Sequence, residues 1–333
     1  MTNNFNHTHS AHCESGVMSS MLRHYGLNLS EPMVFGLASA LSFAYLPFVK
    51  MGGMPLIAYR NLPKSIIKNI RKNLNVKMKL ETFSNKEKGE KRLNELLSEG
   101  KIVGAQTSVY WLPYFPEEMR FHFNAHNLLV IGKEGENYHI SDPVFEETVL
   151  CEPSALTKAR FVKGVMAPKG LLYYPTEVPT NIDLKPVIVK AIKKVAKSML
   201  NTPVPIAGIK GFRYLAKSIV KLEKKDEKYA KLFLGHIVRM QEEIGTGGAG
   251  FRYIYASFLK ESSEIFGNDE TLLEASEMFL EVGDRFREFA LMIAKAVRSK
   301  KETDFQAIAE KLNAIADDEV LAYKKLLEFV AKN

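Results

Sequence analysis

The sequence predicts an α+β domain over residues 1–176, followed by an all-α helical bundle over 181–333. Three observations carry this expectation. In the first half, apolar residues switch repeatedly between helical spacing and strand alternation. Pro175 to Asn181 has the composition of a linker. Beyond it the apolar spacing is helical almost throughout, and a length of 333 residues suits two domains better than one.

The elements follow in order. Cys13 to His24 reads as a helix closed by Tyr25-Gly26. Ser30-Glu31-Pro32 opens a second helix, with Ser30 as N-cap and Pro32 in the first turn. Leu62 to Leu74 has helical apolar spacing, and Val76 to Phe83 alternates as a strand. Asn85 to Ser98 is a charged helix ended by Gly100, and Lys101 to Tyr110 is a strand. His122–Ile131 and Asn137–Ser141 form a hairpin with Gly132 to Glu136 as its turn, and Leu171–Tyr174 adds a strand. These strands imply an antiparallel sheet with helices packed on it. Six helices are expected in the second half, near 184–200, 209–222, 226–244, 251–266, 270–298 and 304–331.

The net charge of +8 is local. Residues 181–225 hold eleven Lys or Arg against Asp183 and Glu223, a charge of +9, which leaves the rest of the chain at −1. Aromatic residues are not interleaved with these cations as in nucleic-acid modules, so no nucleic-acid partner is expected. The segment is either a solvated helix face or a docking surface for an acidic partner or a phosphate-bearing carrier. The N-terminus has no basic and apolar signal pattern, and the longest apolar run, 32–49, is too mixed to span a bilayer. A cytoplasmic protein with free thiols is therefore expected, Cys151 being a small buried filler.

Cys13 is the residue around which chemistry can be built. It is one of two cysteines and lies where the segment His7 to His12 gives way to a helix. The positive end of the helix dipole favours a thiolate there. Acyl transfer at such a sulfur needs a base, a group that orients the base, and donors for the oxyanion. Counted about Glu134, His126 and Asp142 mirror each other across the hairpin, which would place imidazole and carboxylate face to face. His139 lacks an acid at the mirrored position, and His122 mirrors Glu146, past Pro143, where the pairing is expected to have ended. His7, six residues before Cys13, could reach an oxyanion together with the Cys13 N–H, and His12 and Ser15 could shape the pocket. A zinc site built from His7, His9, His12, Cys13, His122 and His126 is disfavoured, because four ligands in seven residues cannot all turn inward without strain. No metal is expected.

These residues carry a resemblance. The chain resembles the butirosin biosynthesis protein H family in His7-x-x-Ser10-x-His12-Cys13-x-Ser15, in Leu29 to Leu37 with Phe43-Ala44-Tyr45, in His126 to Gly132, and in Ser141-Asp142-Pro143. The second half resembles the helical domain of unknown function that follows in this family, marked by Gly245 to Tyr255. The resemblance implies a papain-like, or C39-peptidase-like, N-terminal domain used for acyl transfer in secondary-metabolite biosynthesis. The butirosin enzyme moves an aminoacyl group from an acyl carrier protein thioester to an amine on an aminoglycoside. By that analogy Cys13 is the nucleophile, His126 the base and Asp142 the orienting acid. His7 stands where papain-like enzymes carry a glutamine, and Ser10 where the family motif has glycine.

The segment Gly245 to Phe251 lacks the Gly-Lys-Ser/Thr ending of a phosphate loop. Either it is a helix break that permits close packing, or Gly247, Gly248 and Arg252 approach the acyl group or a phosphopantetheine arm. Glu31 is either a dipole partner of its helix or a substrate contact. The expected function is a cysteine acyltransferase acting on an acyl carrier protein or coenzyme A thioester, with a small-molecule amine or hydroxyl acceptor. It needs no cofactor beyond the phosphopantetheine or coenzyme A of the substrate. A cysteine peptidase or amidohydrolase, and a non-catalytic binding module, are the alternatives.

Overall fold

The structure, a computed structural model, describes residues 5–299 and 301–333. In chain order the elements begin with α1 (Cys13–His24), α2 (Glu31–Leu37), β1 (Leu41–Met51), β2 (Met54–Arg60), α3 (Ser65–Asn73), β3 (Lys77–Glu81) and α4 (Lys86–Ser98). They continue with β4 (Val103–Thr107), β5 (His126–Glu134), β6 (Asn137–Ser141), β7 (Val149–Cys151), α5 (Pro153–Arg160) and β8 (Leu172–Glu177). The helices α6 (Lys185–Asn201), α7 (Gly208–Val220), α8 (Glu227–Val238), α9 (Arg252–Ile265), α10 (Glu270–Arg298) and α11 (Phe305–Lys332) complete the chain. No helix among the described residues is long and apolar enough to cross a membrane.

The chain divides into two compact units, one of residues 1–34 and 63–182, the other of 35–62 and 183–333. One break falls between residues 182 and 183. The stretch 35–62, however, belongs with the helices rather than with the first domain.

The first unit is built on a six-stranded sheet of order β3-β8-β4-β5-β6-β7. Every neighbouring pair runs antiparallel. Val103, Ala105, Leu128, Val130, Tyr138 and Ile140 face a core closed by Leu93 and Leu96 of α4 and Leu156 and Ala159 of α5. Helix α1 packs on β5. Its start is held close by Gly16, where a Cβ would lie 2.5 Å from the Cβ of Ser10 and 3.0 Å from that of Pro143. Only glycine lets the helix approach both.

The β5–β6 turn corrects the expected register. The loop is two residues, Gly135-Glu136, with Glu134 paired to Asn137 and Gly135 at φ +57°. A β-bulge between Val130 and Gly132 then shifts the pairing, giving Leu129 opposite Ser141. Asp142 consequently falls in line with Leu128, not with His126.

The second unit is helical from residue 183 onward, as expected, and residues 35–62 add two strands to it. It contains the hairpin β1–β2, joined by Gly52-Gly53 with both residues at positive φ. The pair suits a two-residue turn in which only glycine adopts both left-handed conformations freely. Phe43 of β1 stacks on Phe212 of α7 at 3.6 Å between ring centroids. Around this hairpin α10 packs against α8, α9 and α11, and α11 also packs on α6 and α7. The expected helix over 226–244 is α8 followed by one π turn at Arg239–Glu243.

Candidate active site

Cys13 is the first residue of α1, buried in the first unit. At that position no carbonyl of the helix reaches its N–H. The preceding residue, His12, is the N-cap, its Nδ1 accepting the Ser15 N–H at 3.3 Å. Glu31 braces this turn from α2. One carboxylate oxygen accepts the Ala11 N–H at 2.8 Å, and the other accepts the His12 N–H at 2.8 Å and the Ser15 hydroxyl at 2.9 Å. Burial pushes the Glu31 carboxyl up, and these three donors pull it back. The expected substrate-contact role of Glu31 therefore gives way to a brace that fixes the turn carrying the sulfur. Ser15 and His12 belong to the same brace.

His126, the first residue of β5, and Asp142, the residue after β6, are both buried. His126 Nε2 lies 2.7 Å from Asp142 Oδ2. Cys13 is near enough to the same imidazole for its sulfur to raise the His126 pKa by charge and hydrogen bonding. With Nε2 committed to the carboxylate, Nδ1 is the nitrogen left for the sulfur. The three side chains singled out from the sequence thus converge, although the hairpin register that motivated the His–Asp pair is two residues different. Asp142 meets His126 because it stands past the end of β6, where the chain leaves the strand.

The electrostatics of the pair have a definite sign. Burial is the largest single influence on His126 and lowers its pKa. The Asp142 carboxylate, by charge and hydrogen bond, and then the Cys13 sulfur oppose it, and together they push His126 up to about 10. The imidazole is therefore held as a cation at neutral pH.

Two features escaped the sequence reading. Tyr114 donates its hydroxyl to Asp142 Oδ2 at 2.9 Å, while Asp142 Oδ1 accepts the Val144 N–H at 3.1 Å. Phe115 meets the His126 ring edge-on at 5.4 Å. Tyr114 and Phe115 lie in an irregular stretch without periodicity, and only the need of a buried tyrosine hydroxyl for a partner pointed to them. The second feature is Glu14, which is fully buried. The Glu14 carboxylate, next to Cys13 in the chain, accepts N–H groups of Lys64, Ile66 and Ile67 at 3.0–3.3 Å and so caps α3 from another helix.

His7 does not serve an oxyanion in this arrangement. Its Nδ1 lies 2.7 Å from the Ser141 hydroxyl and its Nε2 lies 2.9 Å from the carbonyl of Phe145. A carbonyl oxygen only accepts, so Nε2 donates to Phe145 and both ring nitrogens are engaged. His7 instead ties the N-terminal segment to the loop that carries Asp142, and Ser10 N–H donating to the Pro143 carbonyl at 2.9 Å adds a second stitch. The rival bases lie elsewhere: His122 stacks on Tyr110 at 4.1 Å and His139 bonds Thr148 at 2.8 Å. Among the described residues no three His, Cys, Asp or Glu side chains gather to hold a metal.

Gly247, Gly248 and Arg252 lie in the second unit. Arg252 is fully buried, its Nε donating to Glu319 Oε1 at 2.7 Å and its Nη1 to the Gly250 carbonyl at 2.6 Å. The rings of Phe286, Phe212 and Tyr59 surround the guanidinium at 5.0–5.7 Å. A Cβ at Gly250 (φ +55°) would lie 2.3 Å from the Tyr59 ring. The Gly248 N–H is taken by the Thr246 hydroxyl at 3.1 Å and the Ala249 N–H by Glu242 at 3.1 Å. The segment is the close-packing break of the two readings, and its arginine serves the core rather than a substrate.

A thiol at a helix start, an imidazole at the start of a central strand and a carboxylate on the far ring nitrogen are the groups a cysteine nucleophile would need. Residues 12–143, which include all three side chains, match the family described as "Butirosin biosynthesis protein H, N-terminal". Residues 154–326 match "Domain of unknown function (DUF4872)", a match that begins at α5 in the first unit and runs through the helices of the second. No curated protein matches the chain significantly. A crystal structure described as a C39-like peptidase from Bacillus anthracis is similar over 53% of this chain and 97% of that one, with a TM-score of 0.35 and 16% identity. By these matches the chain belongs to the family of Domain of unknown function (DUF4872), and the region before it is similar to the N-terminal domain of the butirosin biosynthesis protein H family.

Proposed function

We propose that the protein is a cysteine-dependent acyltransferase that moves an acyl or aminoacyl group from a carrier-protein or coenzyme A thioester to an amine or hydroxyl. The observation that carries this reading is the Cys13–His126–Asp142 constellation inside the region matching the butirosin biosynthesis protein H family. The Cys13 sulfur attacks the thioester carbonyl carbon while the carbonyl oxygen becomes an oxyanion beside the Cys13 N–H. The oxyanion collapses, the bond to the donor sulfur breaks, and that sulfur leaves with the proton held on His126. The product is a Cys13 acyl thioester. The acceptor N–H or O–H then gives its proton to His126 as its heavy atom attacks, and the Cys13 sulfur departs. Asp142 keeps the imidazole in one orientation throughout. A carrier protein with an acidic face suits the exposed lysines 190, 193, 194 and 197, which share one face of α6, a helix without a single acid.

Intact mass measurement after incubation with acyl-coenzyme A or acyl N-acetylcysteamine tests the reading. Wild type is expected to gain one acyl mass, C13A none, and H126A to acylate at least about 10²-fold more slowly. Adducts that persist in C13A remove the proposal. Cleavage of peptides without any thioester adduct replaces it with a peptidase.

A further inference from the structure

Asp142 accepts two hydrogen bonds on one oxygen. Oδ2 receives both the His126 ring nitrogen at 2.7 Å and the Tyr114 hydroxyl at 2.9 Å. Oδ1 has the Val144 N–H, so a carboxylate with no exposure to solvent has its acceptor needs met from three directions. Of the three donors, Val144 is part of the same turn and His126 is the group to be oriented. Tyr114 comes from a separate stretch of chain and fixes the plane of the carboxylate independently. Its ring is itself held, with Phe115 at 5.2 Å and Phe145 at 5.5 Å.

We propose that Tyr114 is a positioning residue, which acts through Asp142 to hold the His126 imidazole aimed at Cys13. The proposal rests on the reading of Cys13 as the nucleophile. Without the hydroxyl only the Val144 N–H and the imidazole itself fix the plane of the buried carboxylate, and the hydrogen bond to Nε2 is held less firmly on one oxygen. The imidazole then drifts relative to the sulfur, and the charged form of the Cys13–His126 pair is less well supported. The titratable groups facing Tyr114 are Asp142 and Cys151, and those facing His126 are Asp142 and Cys13. Cys151 does not confuse the readout, because burial, aided by Glu152, pushes its thiol up to about 12. Burial and the Asp142 charge keep the Tyr114 phenol protonated and donating.

The experiment is the pH profile of Cys13 alkylation by iodoacetamide in the full chain, read by peptide mass, which needs no knowledge of the natural substrate. In Y114F the profile is expected to move to higher pH by about half to one unit, as the loss of one charge-assisted hydrogen bond implies. The same change in a D142N background is expected to move it little, since the effect passes through the carboxylate. Should Y114F fail to fold, 4-fluorophenylalanine at 114 fills the space of the hydroxyl without donating and is expected to give the same shift. An unmoved profile, a move to lower pH, or an equal shift with and without Asp142 overturns the role of Tyr114. A Cys13 that alkylates in wild type no faster than Cys151 overturns the nucleophile reading instead, so the two failures are distinguishable.

Discussion

His126 holds its proton against burial, and this has a consequence for stability. A histidine whose folded pKa is raised above its unfolded value of 6.5 stabilises the fold fully below that value and loses the contribution as pH rises. With the folded value at about 10, the loss spans the range from near neutrality to pH 10. H126Q removes the group that titrates and keeps an amide N–H able to donate to Asp142. The urea midpoint of wild type is therefore expected to exceed that of H126Q most at pH 6–7, with the gap narrowing towards pH 10. A gap that widens on going alkaline would mean that the imidazole is neutral in the fold. The sequence made Cys13, His126 and Asp142 legible because each has a chemical type that few bland roles explain. It did not reveal which histidine donor was already spent, because His7 meets Ser141 and Phe145 only after folding.

Helix α3 begins without help from its own sequence. Its N-cap is Lys64 in the left-handed region (φ 71°), with no side-chain hydrogen bond, and the capping carboxylate comes from Glu14 on α1. The residue next to Cys13 thus holds another element in place. E14A is expected to cost about 2 kcal/mol in urea unfolding, since it removes a cap and strands buried N–H groups. Faster hydrogen exchange at Ile66, Ile67 and Ile70 would locate the damage, and unchanged exchange there would refute the cap. Such a contact between distant residues leaves no periodic trace, whereas α1 and α10 have the bounds their spacing and caps predict. The missed β1–β2 hairpin lies between these cases. Leu41, Phe43 and Tyr45 alternate with Ser42 and Ala44, but the apolar run Leu46 to Val49 with Pro47 inside it blurs the pattern, whereas Gly52-Gly53 was a readable turn. The β5–β6 register went astray for a related reason: a mirror count assumes an unbroken ladder, and the bulge near Ile131 is invisible to it.

At the scale of the whole molecule, the chain's order and its compact units do not coincide. The second unit takes its hairpin from residues 35–62 and its helices from 183 onward. The hairpin is part of that unit's core: Phe43 and Tyr59 are buried, Phe43 stacks on Phe212, and Tyr59 meets Phe286 edge-on at 6.1 Å. A chain starting at residue 181 would keep six helices and lose these two rings, leaving Phe212, Phe286 and the buried Arg252 facing water or each other. Removing two large aromatic side chains from one core costs on the order of 6–10 kcal/mol by the usual large-to-small scale, comparable with the whole stability of a domain. The fragment 181–333 is therefore expected to be helical by far-ultraviolet circular dichroism yet to lack a cooperative thermal transition and to bind a hydrophobic dye. Joining residues 35–62 to its N-terminus through a flexible glycine-serine linker is expected to restore the transition. Cooperative unfolding of the 181–333 fragment alone, without the hairpin, would show that the helices form a complete core by themselves.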